Sequence, residues 1–209
     1  MKTDSEPLFP LLNISRLRMG TDGEGVTTLV AGAGCPLRCR WCINGKLLSE
    51  VPAENVSADE LLDRVKTDDL YFQVTGGGIT FGGGESLLHV PSIRRFREIC
   101  HPQWKIYAET SLSVPEENVI LAADAVSFFI VDCKDMNEDI YRRYTDGDAK
   151  LMKRNLRLLL DLAGPGRVKV RVPLIPQFNT ANDQEKSVAE LKAMGIENIE
   201  IFDYIIREE

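Results

Sequence analysis

No stretch of the 209-residue chain approaches the ~20 consecutive apolar residues that a membrane-spanning helix requires. A basic excess is missing too: Lys+Arg number 25 against Asp+Glu 32, a net charge of −7. That balance gives no broad electrostatic footprint for nucleic acid or an anionic membrane, so neither is expected as a partner. The opening MKTDSEPLFPLL carries acids near its start and no signal-type apolar core, so the expected location is the cytoplasm. Internal repeats, low-complexity runs and a convincing linker are all lacking, and the length fits one domain, residues 1–209. The five cysteines are an odd number, and three of them are bunched at Cys35, Cys39 and Cys42. A secreted disulfide framework would spread an even number along a shorter chain. What is present is a hydrophobic fraction of 44%, enough to bury a core and to exclude a disordered chain.

The order of patterns predicts an α/β fold. Residues 26–33 (VTTLVAGA) read as a first strand, followed by the glycine-punctuated cysteine loop. Ser57-Ala-Asp-Glu60 has the form of a capping box, predicting a helix over 58–67. A short strand core at 79–81 is wrapped in glycine, and a helix over 91–100 places Ile93, Phe96 and Ile99 on one face. Strands are expected at 105–111, 125–133, 168–175 and 199–206, with helices at 115–122, 137–144, 150–163 and 182–194. Six strands alternating with helices call for a parallel sheet with crossover helices. Six β/α units fall short of the eight of a closed barrel, leaving an open partial barrel or a doubly wound sheet. In either, ligands gather at the C-terminal ends of the strands. Those ends carry the cysteine loop, Gly82–Glu85, Glu109–Ser111, Asp132 and Lys134, Arg171 with 177–179, and Asp203–Tyr204.

Cys35-x-x-x-Cys39-x-x-Cys42 puts three thiols within eight residues. A structural zinc site wants four ligands, usually as two separated pairs. His89 and His101, the only histidines, lie elsewhere in the sequence, as do Cys100 and Cys133. A [4Fe–4S] cluster usually takes four thiolates. Three would leave one iron open to a ligand from outside the protein, a catalytic feature rather than an electron-carrier feature.

With Trp41 just before the last cysteine, this triad resembles the signature of radical S-adenosylmethionine (SAM) enzymes. DGEGVTTLVAGAGCPLRCRWCIN, GGGITFGGGESLLH, AETS, DCKD, YRRYTDGD, NLRLL and VRVPLIPQFN extend the resemblance over most of the chain, toward the pyruvate formate-lyase activating enzyme branch. The resemblance implies a (β/α)6 partial TIM barrel in which Cys35, Cys39 and Cys42 hold a [4Fe–4S] cluster and SAM chelates the fourth iron. One electron then cleaves SAM to methionine and a 5′-deoxyadenosyl radical, which takes a hydrogen from the substrate. It implies partners as well: a one-electron donor such as flavodoxin or ferredoxin, and a glycyl-radical enzyme as target.

Residue by residue, Gly83, Gly84 and Glu85 resemble the family's glycine–glutamate motif, whose backbone meets the amino end of SAM, though the family usually has serine where Gly82 stands. Lys134 and its neighbours are implied to hold the methionyl carboxylate and ribose. Glu109, Thr110 and Asp132 correspond to the acid, threonine and aspartate that can bind a monovalent cation beside SAM. The structural alternative is an Asp132–Lys134 or Glu109–Arg171 ion pair. Arg171 and Asn179 match the strand and loop near the nucleoside, the alternative being a strand arginine with a proline-bounded loop. Trp41 shields the cluster, lies against adenine or simply packs. Asn44 and Tyr204 complete the expected cofactor site, and no side chain is assigned a catalytic proton or hydrogen transfer.

The match breaks at named places. The family's D-G-P-G-x-R loop reads Asp22-Gly23-Glu24-Gly25-Val26-Thr27, its His-Asn after the last cysteine reads Ile43-Asn44, and its Pro-Tyr-His reads Asp203-Tyr204-Ile205. No ferredoxin-like cysteine insertion is present, so one cluster is expected. These departures bear on the substrate. The alternatives are a radical SAM enzyme acting on a peptide or small molecule, and a non-catalytic iron–sulfur or zinc protein.

Overall fold

A computed structural model describes residues 6–204 and 206. Along the chain run β1 (Phe9–Met19), β2 (Val26–Gly32), α1 (Gly45–Glu50), β3 (Glu54–Val56), α2 (Ala58–Val65), α3 (Asp69–Thr75), β4 (Gly78–Gly83) and α4 (Val90–Ile99). There follow β5 (Lys105–Thr110), α5 (Glu116–Ala125), β6 (Phe128–Asp132), α6 (Glu138–Thr145), α7 (Ala149–Ala163), β7 (Val168–Leu174), α8 (Ala181–Ala193) and β8 (Ile199–Asp203). Local chemistry sets many of these ends. Ser57 and Glu60 form the expected reciprocal box at the start of α2, and Thr180 with Asp183 repeats it at α8. The side chains of Asn137 and Asp148 accept first-turn N–H bonds at α6 and α7.

All eight strands join one sheet in the order β3-β1-β2-β4-β5-β6-β7-β8. From β2 to β8 every pairing is parallel, so the six expected strands form the expected parallel run. Among the described residues β3 and β8 remain edges, which leaves the barrel partial and open. Two strands go beyond the sequence reading. β1 returns antiparallel to β2, and β3 pairs antiparallel with β1. β1 escapes pattern recognition because register shifts interrupt its pairing on both sides of Asn13–Ser15, which scrambles the period-2 alternation. The short helices α1 and α3 were likewise not expected. β8 is observed to end at Asp203, and Ile205, in the expected strand 199–206, lies outside the described residues, as do residues 1–5 of the N-terminal stretch.

The core lies between the sheet and its helices. Phe81 of β4 is fully buried and meets Phe9 of β1 and Phe96 of α4 edge-on, with ring centroids 5.4 and 5.6 Å away. Because strand residues alternate faces, Ile79 and Phe81 pack outward while Gly82 faces inward, toward Glu109. Inward-facing Glu109, Asp132 and Arg171 thus come from three neighbouring strands and share one interior. Among the described residues no helix is long and apolar enough to cross a membrane. Truncating Phe81 to Ala is expected to cost about 3–5 kcal/mol of stability. It should appear as a lower urea midpoint with an unchanged slope.

Candidate metal and cofactor site

The cysteine loop leaves β2 at Gly32 and is fastened along its length. Arg38 N donates to Thr145 O (2.7 Å) and Arg40 N to Tyr144 O (3.0 Å), so the C-terminal end of α6 supplies its floor. Inside the loop Cys42 N donates to Cys39 O and Gly45 N to Cys42 O, folding the triad back on itself. All three cysteines are free thiols, with Cys35 and Cys42 exposed and Cys39 half-buried. Burial pushes Cys39 up to about 11, against the pull of the nearby Lys134 ammonium. Cys35 is also raised, chiefly by burial, with Glu85 and Cys42 adding to it.

The glycine loop after β4 docks directly on this segment. Gly84 N donates to Gly32 O (2.9 Å), and Glu85 N to Gly34 O (2.8 Å). A Cβ at Gly84 would sit 2.1 Å from Gly34 O, and Gly83 has φ +89 with its Cβ position 2.8 Å from Ala31 Cβ. The two glycines are therefore demanded by the chain's own packing, whatever ligand lies beyond them. Asn44 Nδ2 donates to Gly83 O (2.8 Å), closing the cysteine loop onto the glycine loop from its other end. The Glu85 carboxylate turns inward, 2% exposed, and accepts from Thr110 Oγ1, Ser111 N, Ser111 Oγ and Leu87 N. Burial raises its proton affinity, and the four donors work the other way.

Below the loops an ion network spans three strands. Arg171 Nε donates to Asp132 Oδ1 (2.7 Å) and Arg171 Nη1 lies 3.0 Å from Glu109 Oε1, while Lys134 Nζ donates to Asp132 Oδ2 (3.0 Å). Both ion pairs named as structural alternatives are thus formed, through one shared network. Burial alone would raise Asp132, but Lys134 and Arg171 override it and hold it at about 2. Lys134 and Arg171 are in turn held above their ordinary values, their carboxylate neighbours outweighing burial. Glu109 is raised, because burial outweighs Arg171 and the carboxylates of Asp132 and Asp22 lie near.

These parts surround a cavity of about 470 Å³. Of the residues expected from sequence, Cys35, Cys39, Cys42, Asn44, Gly83, Gly84, Glu85, Glu109, Thr110, Asp132, Lys134, Arg171 and Tyr204 line it. Trp41 and Asn179 do not. Trp41 is half-buried outside the lining, its carbonyl accepting from Tyr204 Oη and its indole N–H buried without a partner among the described residues. Asn179 is occupied in its own loop, accepting from Ile175 N (2.6 Å) and donating to Asp135 and Pro173 O (each 3.1 Å). That is the proline-bounded structural alternative. The sequence reading missed Arg18, Thr21 and Asp22, which also line the cavity. Arg18 was out of reach because its strand was not recognised, whereas Asp22 stands in a motif already singled out.

The donor set tests which group fits. Among the described residues no three His, Cys, Asp or Glu side chains converge as a single metal ion would need. Neither His89 nor His101 lines the cavity that the three thiols face, so neither is placed to complete a zinc shell there. Three separated thiols on one loop fit instead a cluster in which each sulfur binds its own iron. The adjoining wall offers the side-chain-free backbone of Gly83 and Gly84, both half-buried at the cavity, and two fixed cations, which suits a zwitterionic amino acid end.

Residues 29–202 match the family model of the Radical SAM superfamily. The pyruvate formate-lyase 2-activating enzyme of Escherichia coli (strain K12) is 26% identical, over 98% of this chain and 80% of its own. The choline trimethylamine-lyase activating enzyme of Oleidesulfovibrio alaskensis is 26% identical over 86% of this chain and 76% of its own. Among solved structures, Streptococcus suis SuiB superposes with a TM-score of 0.65 at 12% identity, over 87% of this chain. This chain spans 42% of SuiB, less than half its length. QueE from Escherichia coli gives 0.59 at 12% identity, over 94% of this chain and 84% of QueE. These two likenesses are of fold.

Gly84→Ala is expected to separate the two loops while leaving the rest of the fold intact. Circular dichroism should stay close to wild type, and iron retained after anaerobic reconstitution should fall severalfold.

Proposed function

The chain belongs to the Radical SAM superfamily, and we propose that it acts as an activating enzyme that abstracts a hydrogen from a glycine of a glycyl-radical protein. One observation carries the reading: three free thiols, the glycine loop and the Lys134–Asp132–Arg171–Glu109 network face a single cavity. Cys35, Cys39 and Cys42 would hold the [4Fe–4S] cluster, and Gly83–Glu85 with Lys134 and Arg171 would receive the amino acid end of SAM. Bound together, cluster and SAM supply one-electron cleavage of SAM to methionine and a 5′-deoxyadenosyl radical, which takes a hydrogen atom from the substrate to give 5′-deoxyadenosine and a substrate radical.

The protein's own part is to bind, orient and shield. Glu85 spends its carboxylate on fixing the ends of β4 and β5, so its contribution is the placement of the backbone ahead of it. Lys134 and Arg171 stay charged at any physiological pH and, balanced by Asp132 and Glu109, would present charge-assisted donors in fixed positions to a carboxylate. With Cys35 and Cys42 exposed, a small electron carrier such as flavodoxin or ferredoxin would reach a cluster held by these thiols. The same exposure would make a cluster held there oxygen-labile, in keeping with an anaerobic or well-reduced cytoplasm. One sheet holds all eight strands, which supports reading residues 1–209 as one domain.

The target is the finer part of the proposal. The relatives are named as activating enzymes of pyruvate formate-lyase 2 and of choline trimethylamine-lyase, and the altered loop is still tied into the interior wall. Thr80 Oγ1 donates to Asp22 O (2.6 Å), Glu24 N donates to Tyr107 Oη (3.1 Å), and Asp22 lines the cavity. The second reading, a peptide or small-molecule substrate, draws on Glu24. It stands where the family has proline and pairs with Lys105 on the surface (2.6 Å).

The test is anaerobic reconstitution, reduction with SAM, and assay of 5′-deoxyadenosine, with Cys39→Ala alongside. Wild type is expected to form it and the variant to lose at least about a hundredfold in rate, roughly 2.7 kcal/mol of barrier. Pyruvate formate-lyase added as the test target should acquire an organic radical signal in electron paramagnetic resonance. Cleavage without that signal would favour the second reading. A loaded cluster that never cleaves SAM, with target present, would sink both.

A further inference from the structure

The resemblance implies a monovalent cation beside SAM, held by an acid, a threonine and an aspartate, here Glu109, Thr110 and Asp132. Their geometry in this chain does not fit one. Glu109 Oε1 lies 3.0 Å from Arg171 Nη1, and both oxygens of Asp132 are taken, Oδ1 by Arg171 Nε at 2.7 Å and Oδ2 by Lys134 Nζ at 3.0 Å. Thr110 Oγ1 donates to Glu85 Oε1 at 2.6 Å and accepts from Leu112 N at 2.9 Å. Charge tells the same story. The Glu109 and Asp132 carboxylates face two cations of the chain itself, Arg171 and Lys134, and Asp22 is paired with Arg18. Glu85, the remaining carboxylate of this cavity, already has its oxygens taken by Thr110, Ser111 and Leu87, so among the described residues no carboxylate here is left without partners to attract a metal cation.

A second observation explains how Glu109 reaches the arginine. A Cβ at Gly82 would sit 2.7 Å from Glu109 Oε2, so the space where the family usually has a serine side chain is the space the Glu109 carboxylate uses. Gly82 and the pairing of Glu109 with Arg171 therefore belong together. We propose that Arg171 is a built-in cation: its guanidinium, set between Glu109 and Asp132, does the neutralising work for which the family pattern implies a monovalent metal ion, so SAM binding to this enzyme is indifferent to sodium and potassium. The inference rests on reading this cavity as the SAM site.

The physical consequence is specific. With Arg171 in place the two carboxylates are neutralised and oriented by a planar donor fork. Without it they are left buried and under-compensated, a costly state that a free cation would relieve. Arg171 is thus a positioning residue toward Glu109 and Asp132, apart from any contact it makes with SAM.

Calorimetric titration of SAM into the cluster-loaded enzyme, in buffers of equal ionic strength whose only monovalent cation is sodium, potassium or tetramethylammonium, reads this directly. The dissociation constant is expected to agree within about twofold across the three. Binding about tenfold tighter in sodium or potassium than in tetramethylammonium would overturn the proposal. In Arg171→Gln the dependence should appear, with sodium or potassium improving affinity about tenfold, while Arg171→Lys should keep the wild-type indifference. A folded Arg171→Gln protein that binds SAM equally in all three buffers would also overturn it. Should Arg171→Gln fail to fold, the wild-type comparison decides alone. Failure of wild type to bind SAM in any buffer would strike the cofactor reading instead. The thermal midpoint of the loaded enzyme without SAM would then decide the cation question. A common midpoint supports the proposal, and a rise of about 4 °C or more in sodium or potassium overturns it.

Discussion

Glu85 joins three strand ends. Its N–H donates to Gly34 O in the loop after β2, and its carboxylate takes four donors from the loop after β4 and the end of β5. A buried carboxylate without such partners would be expensive, so the residue holds the loops in one arrangement or the rim does not form. The cysteine triad depends on that arrangement. Its loop rests on the C-terminal end of α6 on one side and on Gly83–Glu85 on the other. Only glycine permits the second contact, because Gly34 O occupies the position of any Cβ at residue 84. The glycine–glutamate motif is thus a docking device between two loops as well as a backbone surface for a ligand.

The ion network beneath follows the same logic. Four charged side chains from three strands and the loop after β6 share one interior, and each carboxylate is matched by a cation. Removing any one member would leave a partner charged in a poorly hydrated site, which is why such networks fix geometry more than they add stability. The result is that Lys134 and Arg171 are held rigidly at the cavity wall, their charges balanced by Asp132 and Glu109, while Asp132 stays ionised down to about pH 2. Around physiological pH that wall is constant, and a zwitterionic ligand meets it already organised.

Much of this was legible in the residues. The Ser57–Glu60 box, the apolar 3-residue spacing of Ile93 and Phe96, and the nearly unbroken apolar run of β6 each stated their element through local chemistry. The alternation of strand and helix stated the parallel sheet. β1 was not legible, because register shifts on both sides of Asn13–Ser15 break its alternation, and with it went Arg18. Asn179 and Trp41 were misplaced for a different reason. Their motif positions say that they lie near the cavity, but whether a side chain faces it is decided by partners distant in sequence. Asp135 and the carbonyl of Pro173 claim Asn179, and Tyr204 engages the Trp41 carbonyl.

The sequence by itself determined the chemistry: three thiols at cluster spacing, a glycine–glutamate turn, and charged residues at the C-terminal ends of strands, all of which depend on residue type and short-range spacing. Tertiary structure alone decided which charge meets which. Glu109, Asp132 and Arg171 are separated by 23 and 39 positions, and only the parallel order of β5, β6 and β7 and their inward alternation bring them within hydrogen-bond reach. Pairing strength falls off with distance in space, and distance along the chain says nothing about that until the sheet is built.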